Sequence, residues 1–135
     1  MGADNFRKFS ERIYMYYKQG IGKLGELKAE KYLIRNNYKI IERNFRCNFG
    51  EIDIIAKDLK KQEIVFVEVK TRNNKTYGEP SEAVNYYKKK HILKSVKYFM
   101  HINKLEKEFI RIDVIEVHLD KGKGYKINHI QQALY

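Results

Sequence analysis

The sequence predicts an α/β domain with a mixed central β-sheet flanked by helices. Three observations carry this class. Two alternating apolar segments, Glu51 to Ala56 and Glu63 to Thr71, are separated by a polar, lysine-rich connector. A further alternating run spans Glu108 to His118. Apolar residues recur at helical spacing before and after the paired segments, in Gly22 to Asn37 and in Ser81 to about Asn103. At 135 residues the chain fits one domain, large enough to bury a core without staples.

In chain order, residues 4 to 18 place Phe6, Phe9, Ile13 and Tyr16 or Tyr17 on one helical face, and the helix is expected to end at Gly20. Residues 1–21 read as a helical extension ahead of a domain at 22–135. The extension is free to pack on the domain or to mediate self-association, so a homodimer stays open. In Gly22 to Asn37 the core candidates are Leu24, Leu27, Leu33 and Ile34, and Asn36 with Asn37 is the stop. Tyr38 to Arg46 reads as a first strand, with Arg43 and Arg46 as candidate phosphate contacts.

The paired segments form a β-hairpin whose register follows from its loop. If Asp58 and Glu63 close a four-residue loop of Leu59 to Gln62, then Asp53 falls opposite Glu68. Cross-strand neighbours have Cβ atoms ~4.5–5.5 Å apart, and like charges placed that way repel. A hard divalent cation would compensate them, because Mg²⁺ is held by one or two carboxylates plus water and phosphate oxygens. Lys70, two residues beyond Glu68 on the same face, adds a donor able to orient water or stabilise charge on a phosphate. An ordinary ion pair of either acid with Lys70 or another lysine is the competing reading. The Glu-x-Lys triplet alone carries little weight, since Glu26-Leu27-Lys28 is a second copy within a helix.

Beyond the hairpin, Asn73 to Glu79 has loop composition and follows directly from the strand that carries Glu68. Pro80 suits a helix first turn. The helix that follows directs Val84, Tyr87, Ile92, Val96, Phe99 and Met100 to a core. Lys88, Lys89, Lys90, Lys94 and Lys97, interleaved with Tyr86, His91 and Tyr98, make either a phosphate-tracking surface or a solvated face. Arg72 joins this basic set. In the strand at Glu108 to His118, Asp113 is expected to be exposed, with an ion pair to Arg111 or a lysine. YKINHIQQALY closes the domain as a short strand or helical turn.

Taken together, GKLGE, YLIRNNYKIIERNFR, FGEIDIIA, VFVEVKTR, GEPSEAV and RIDVIEV, in this order, resemble the YraN-like family of small bacterial proteins. That family lies within the PD-(D/E)xK restriction-endonuclease-like superfamily. The resemblance covers about Gly22 to Leu134. It implies a restriction-endonuclease-like fold, a Mg²⁺ or Mn²⁺ site at Asp53 and Glu68, and Lys70 as the catalytic cation. It also implies Glu26, from the GE motif, as a third acid facing the site, where position alone would leave a solvated helix acid. A helix-borne Glu combined with D…ExK is similar to Holliday-junction resolvases, which implies branched or structured DNA.

Composition fits these implications without proving them. Lys and Arg outnumber Asp and Glu by 28 to 17, a formal charge of +11, which suits a polyanionic partner. One cysteine, Cys47, excludes an internal disulfide and a thiolate metal cluster. No run of 18 apolar residues and no signal-like leader are present, so a cytoplasmic chain with no membrane partner is expected. The leading reading is a metal-dependent nuclease acting on DNA. The alternatives are a non-catalytic nucleic-acid-binding module and an interaction subunit that has kept the fold.

Overall fold

The computed structural model describes residues 3–72, 86–120, 122 and 124–133. Its elements are α1 (Ala3–Arg35), β1 (Tyr38–Cys47), β2 (Gly50–Asp58), β3 (Glu63–Arg72), α2 (Tyr86–Ile102), β4 (Ile110–Asp120) and β5 (Gly124–Ile130). The expected loop at Asn73 to Glu79, Pro80 and the first turn of the lysine-rich helix lie outside the described residues.

The five strands form one sheet in the order β1-β2-β3-β4-β5. All neighbours are antiparallel except β3 and β4, which run parallel. Parallel neighbours require a crossover, and α2 lies within it. The sheet is therefore mixed, with a helix on each face, as the sequence predicts. β4 is buried on both faces from Arg111 to Val117, as befits a strand paired on both edges and covered above and below.

Each helix closes its own core. α2 lowers Ile92, Val96, Phe99 and Met100 onto Ile52, Ile55, Ile64, Phe66 and Ile112. Those four helix positions follow the i, i+4, i+7, i+8 spacing of one face. Burial of each large side chain contributes roughly 1.5–3 kcal/mol. On the opposite face α1 packs Ala29 and Leu33 against Ile54, Ala56, Val65, Val67, Ile115 and Val117.

Two expectations for α1 need correction. The helix does not stop at Gly20 but runs unbroken to Arg35. Gly20, Gly22 and Gly25 each cost the helix about 1 kcal/mol, which packing of the distal half offsets. Of the expected core residues only Leu33 is buried, whereas Leu24, Leu27 and Ile34 are exposed. The buried stripe is instead Gly25, Ala29 and Leu33, at i, i+4 and i+8. Small residues win here because the helix comes very close to the sheet. A Cβ at Gly25 would stand 1.9 Å from Thr71 Oγ1 on β3, so only glycine fits.

Asp113 also departs from expectation. It is fully buried, not exposed, because the Ile110-Ile112-Val114 alternation sits in a strand covered on both faces. The ion pair with Arg111 is present at 2.9 Å.

Candidate active site

The β2–β3 hairpin adopts the register expected from its loop, with Asp58 opposite Glu63 and Ile54 opposite Val67. Past Ile54 and Val67 the strands part. Asp53, the next residue on β2, reaches across with its side chain, and its Oδ2 accepts the Val69 N–H at 2.8 Å. The acid thus takes a backbone donor that a continuing ladder would have used.

The gap so formed gathers the other acids. Glu68 follows Phe66 on the α2 face of β3. Glu26 arrives from the α1 face, placed by the tight approach of Gly25 to Thr71, and lines the same cleft as Asp53. One cleft of about 470 Å³ is lined by Glu26, Asp53, Glu68 and Lys70, together with Tyr14 and Tyr17 of α1. A second, of about 620 Å³, is lined by Asp53, Glu68, Lys88, Phe49 and His91. A third, of about 210 Å³, joins Glu26 and Asp53 to Glu30 and Arg43. Asp53 lies where all three meet.

Electrostatics in this gap oppose the ordinary ionisation of carboxyl groups. Burial, followed by the charge of Glu68, pushes Asp53 up to about 7 against the pull of the Val69 N–H. Burial likewise raises Glu26, assisted by Glu51 and Glu68 and opposed by its bond to Asp53. Glu68 is held by two lysines, with Lys70 Nζ at 3.3 Å and Lys88 Nζ at 2.7 Å from Oε1. Burial and the neighbouring Lys88 lower Lys70. Burial also penalises the Lys88 ammonium, but its contacts with Glu68 and Lys70 leave it raised.

The donor set fits a hard cation in kind, being three carboxylates with room for water and phosphate oxygens and no soft ligand. In arrangement Glu68 faces the lysines. Among the described residues no three His, Cys, Asp or Glu side chains already stand in metal-ligand geometry. A cation held there would draw Glu68 away from Lys70 and Lys88.

Around this centre the basic residues separate into groups. Arg43 is tied to Glu30 through both its Nε and Nη2. Arg46 lies 3.5 Å from Glu51 on the exposed side of β1. Arg72 is half-buried at the end of β3. On α2, Lys88 points into the acids, Lys89 is half-buried, and Lys90 and Lys94 are exposed. Lys94 Nζ lies 5.9 Å from the Phe49 ring centre, within cation–π range. Only Lys88 of this set contacts the acidic centre directly, as an ion-pair partner as well as a candidate phosphate contact.

The sequence reading missed the aromatic walls. The sequence places Tyr17 only as an alternative to Tyr16 on the apolar face of a helix expected to end at Gly20, and gives Tyr14 and Phe49 no role, because their relation to Asp53 depends on α1 continuing past Gly20 and on the β1–β2 turn folding toward α2. The helical spacing of Tyr14, Tyr17 and Ile21 was the available signal, hidden by the expected break.

A family model described as "Uncharacterised protein family UPF0102" matches residues 25–117. A UPF0102 protein of Clostridium perfringens is 43% identical over 119 residues, covering 87% of this chain and 95% of that protein. A UPF0102 protein of Caldanaerobacter subterraneus is 44% identical over 118 residues, covering 86% and 95%. One from Clostridium acetobutylicum is 48% identical over 113 residues, covering 83% and 91%. Among solved structures, that of Pyrococcus furiosus SfsA in complex with Ca²⁺ is 14% identical, with a TM-score of 0.40, and the match spans 84% of this chain and 63% of that one.

Proposed function

The chain belongs to the UPF0102 family, and from that membership and the geometry of the cleft we propose that it is a metal-dependent nuclease acting on DNA. The observation that carries the reading is the meeting of Glu26, Asp53, Glu68 and Lys70 at one gap between parting strands. A structural ion pair needs one acid and one base. Three carboxylates from three separate elements, drawn together in a chain of net charge +11, have no evident structural use.

In this reading Asp53, Glu68 and Glu26 hold Mg²⁺ or Mn²⁺. When bound there, the cation supplies Lewis-acid polarisation of the phosphate and a water of lowered pKa. Lys70 lies beside Glu68, and burial lowers its proton affinity, which suits it to orient the attacking water and stabilise charge on the phosphate oxygens. Lys88 is positioned to turn from Glu68 to the incoming phosphate. Arg43, Arg46, Arg72, Lys89, Lys90 and Lys94 supply the salt-sensitive attraction for the backbone. Branched or structured DNA is the finer substrate assignment, and it rests on analogy with helix-borne Glu sites.

A second reading, a non-catalytic nucleic-acid-binding module, is favoured by the Lys70 and Lys88 pairs that already satisfy Glu68. Single-turnover cleavage across single-stranded, duplex, flap and four-way DNA, with and without Mn²⁺, separates the two. The nuclease reading expects Mn²⁺-dependent cleavage that Asp53→Asn and Glu68→Gln abolish and Lys70→Ala slows by ~10²–10³. Cleavage of nothing in the panel, with DNA binding intact, would establish the binding module instead.

A further inference from the structure

The cleft that holds the acids is walled by aromatic rings that the proposed chemistry does not use. Tyr14 and Tyr17 are 57% and 56% exposed, and both line the cleft with Glu26, Asp53, Glu68 and Lys70. They lie three residues apart, hence on one helical face that Ile21 continues, and Gly22 and Glu26 line the same cleft from further along α1. At 1.5 Å per residue, Tyr17 stands about 14 Å along α1 from Glu26. Both tyrosines precede the segment matched by the family model. On the other side of Asp53 and Glu68, the second cleft is walled by Phe49, which is 40% exposed and has Lys94 near its ring. The acids therefore stand between two aromatic walls.

We infer that the Tyr14–Tyr17 face is a stacking platform for unpaired bases, so that the preferred substrate carries a single-stranded segment at the acidic centre. The inference rests on the nucleic-acid reading proposed above and narrows its substrate class. Stacking on an aromatic ring needs an open base face, and a base within a duplex has both faces covered by its neighbours. Unpaired bases supply that surface regardless of sequence. A phenol hydroxyl can also hydrogen-bond a phosphate, and the phenylalanine pair, which keeps the rings and removes the hydroxyls, separates that contact from stacking.

The test compares full-length wild type with Tyr14→Ala/Tyr17→Ala and with Tyr14→Phe/Tyr17→Phe. Anisotropy titrations use a single-stranded oligonucleotide carrying 2-aminopurine, the same sequence as a blunt duplex, and a flap with one unpaired arm. Alanine is the best helix former, so the double alanine variant keeps α1, and its circular dichroism melt checks this. The expected result is that the alanine pair weakens single-strand and flap binding about tenfold per ring lost, with duplex affinity within twofold of wild type. The phenylalanine pair should bind as wild type does, and 2-aminopurine emission should be quenched by wild type and not by the alanine pair. Equal losses on single strand and duplex would overturn the inference, as would no loss on either. Loss of a dimer by sedimentation with strand binding unchanged would overturn it too, and would assign the face to self-association. If wild type binds duplex normally but single strand no better than the alanine pair, this inference falls and the nuclease reading stands. If it binds no nucleic acid at low salt, both fall.

Discussion

Asp113 is fully buried and Asp53 half-buried in one sheet, and their surroundings treat them in opposite ways. Asp113 accepts hydrogen bonds from Arg111, from His129 at 2.7 Å and from the Gln132 N–H at 3.1 Å. Burial would raise it, but these partners more than offset burial and hold it below the ordinary carboxylate value. Arg111 completes the network with Asp58 and Glu63, each at 3.0 Å, and with the Tyr38 hydroxyl at 2.6 Å. Asp53 accepts one backbone N–H and faces further acids, and it is pushed up to about 7. A planar guanidinium in a fixed fork hydrogen-bonds all three carboxylates of the first cluster. The second has only lysines on flexible stems, and those sit on Glu68. Dense hydrogen bonding makes the Arg111 cluster architecture, and the ligand site proposed above lies where Asp53 has a single backbone donor.

The largest expected effect is at the compensated cluster. Arg111→Ala strands Asp58, Glu63 and Asp113 without their cation, and breaking a buried pair costs about 3–5 kcal/mol. Urea unfolding monitored by circular dichroism should show a loss of that size or no folded state. Acid titration sharpens the point. Asp113 and Asp58 have lowered folded-state values, so their stabilisation is present above the unfolded value near ~4 and disappears as pH falls through the folded value.

Asp53 should show the opposite sign. Its folded value lies above its unfolded one, so the folded state holds the proton more tightly between about pH 4 and 7. Stability of the metal-free protein should fall as pH rises through that window, by at most about 1.4 kcal/mol per pH unit from this group. Asp53→Asn should flatten that slope and leave the variant more stable than wild type above pH 7. Denaturation in EDTA at pH 5 and pH 8 checks it, and a variant less stable than wild type at pH 8 would break the contrast with Asp113.

A smaller effect is expected at the hinge between architecture and site. Gly25→Val introduces a Cβ where Thr71 Oγ1 would be 1.9 Å away, so α1 must shift off β3. Overpacking of this kind costs about 1–3 kcal/mol. Pairing with Thr71→Gly should recover part of the loss in thermal unfolding, and an additive double variant would argue against the close approach as its cause.

What the chain alone disclosed follows the range of the forces involved. The Asp58 to Glu63 loop fixes the hairpin register locally as far as Ile54 and Val67, so a shared cleft for Asp53 and Glu68 was readable from a few adjacent residues, although the ladder ends before the two would pair. α2 was readable because its buried face consists of large apolar side chains at helical spacing. The face of α1 was not, since Gly25 and Ala29 carry no hydrophobic signal and are selected by the closeness of a strand some forty residues away. Arg111 and Asp113 were visible as a pair, but their burial depends on β5 and His129 covering them. The basic residues gave only a charge, because nothing in their spacing told Lys88, bonded to Glu68, from Lys90, exposed on the same helix.

Glu26, Asp53 and Glu68 are proposed to hold a divalent cation. Isothermal titration of Mn²⁺ into wild type, Asp53→Asn, Glu68→Gln and Lys70→Ala tests it most directly. Binding is predicted in wild type and in Lys70→Ala, with the two acid variants weakened about tenfold or more. Equal affinity in all four proteins, or no binding in any of them, would contradict it.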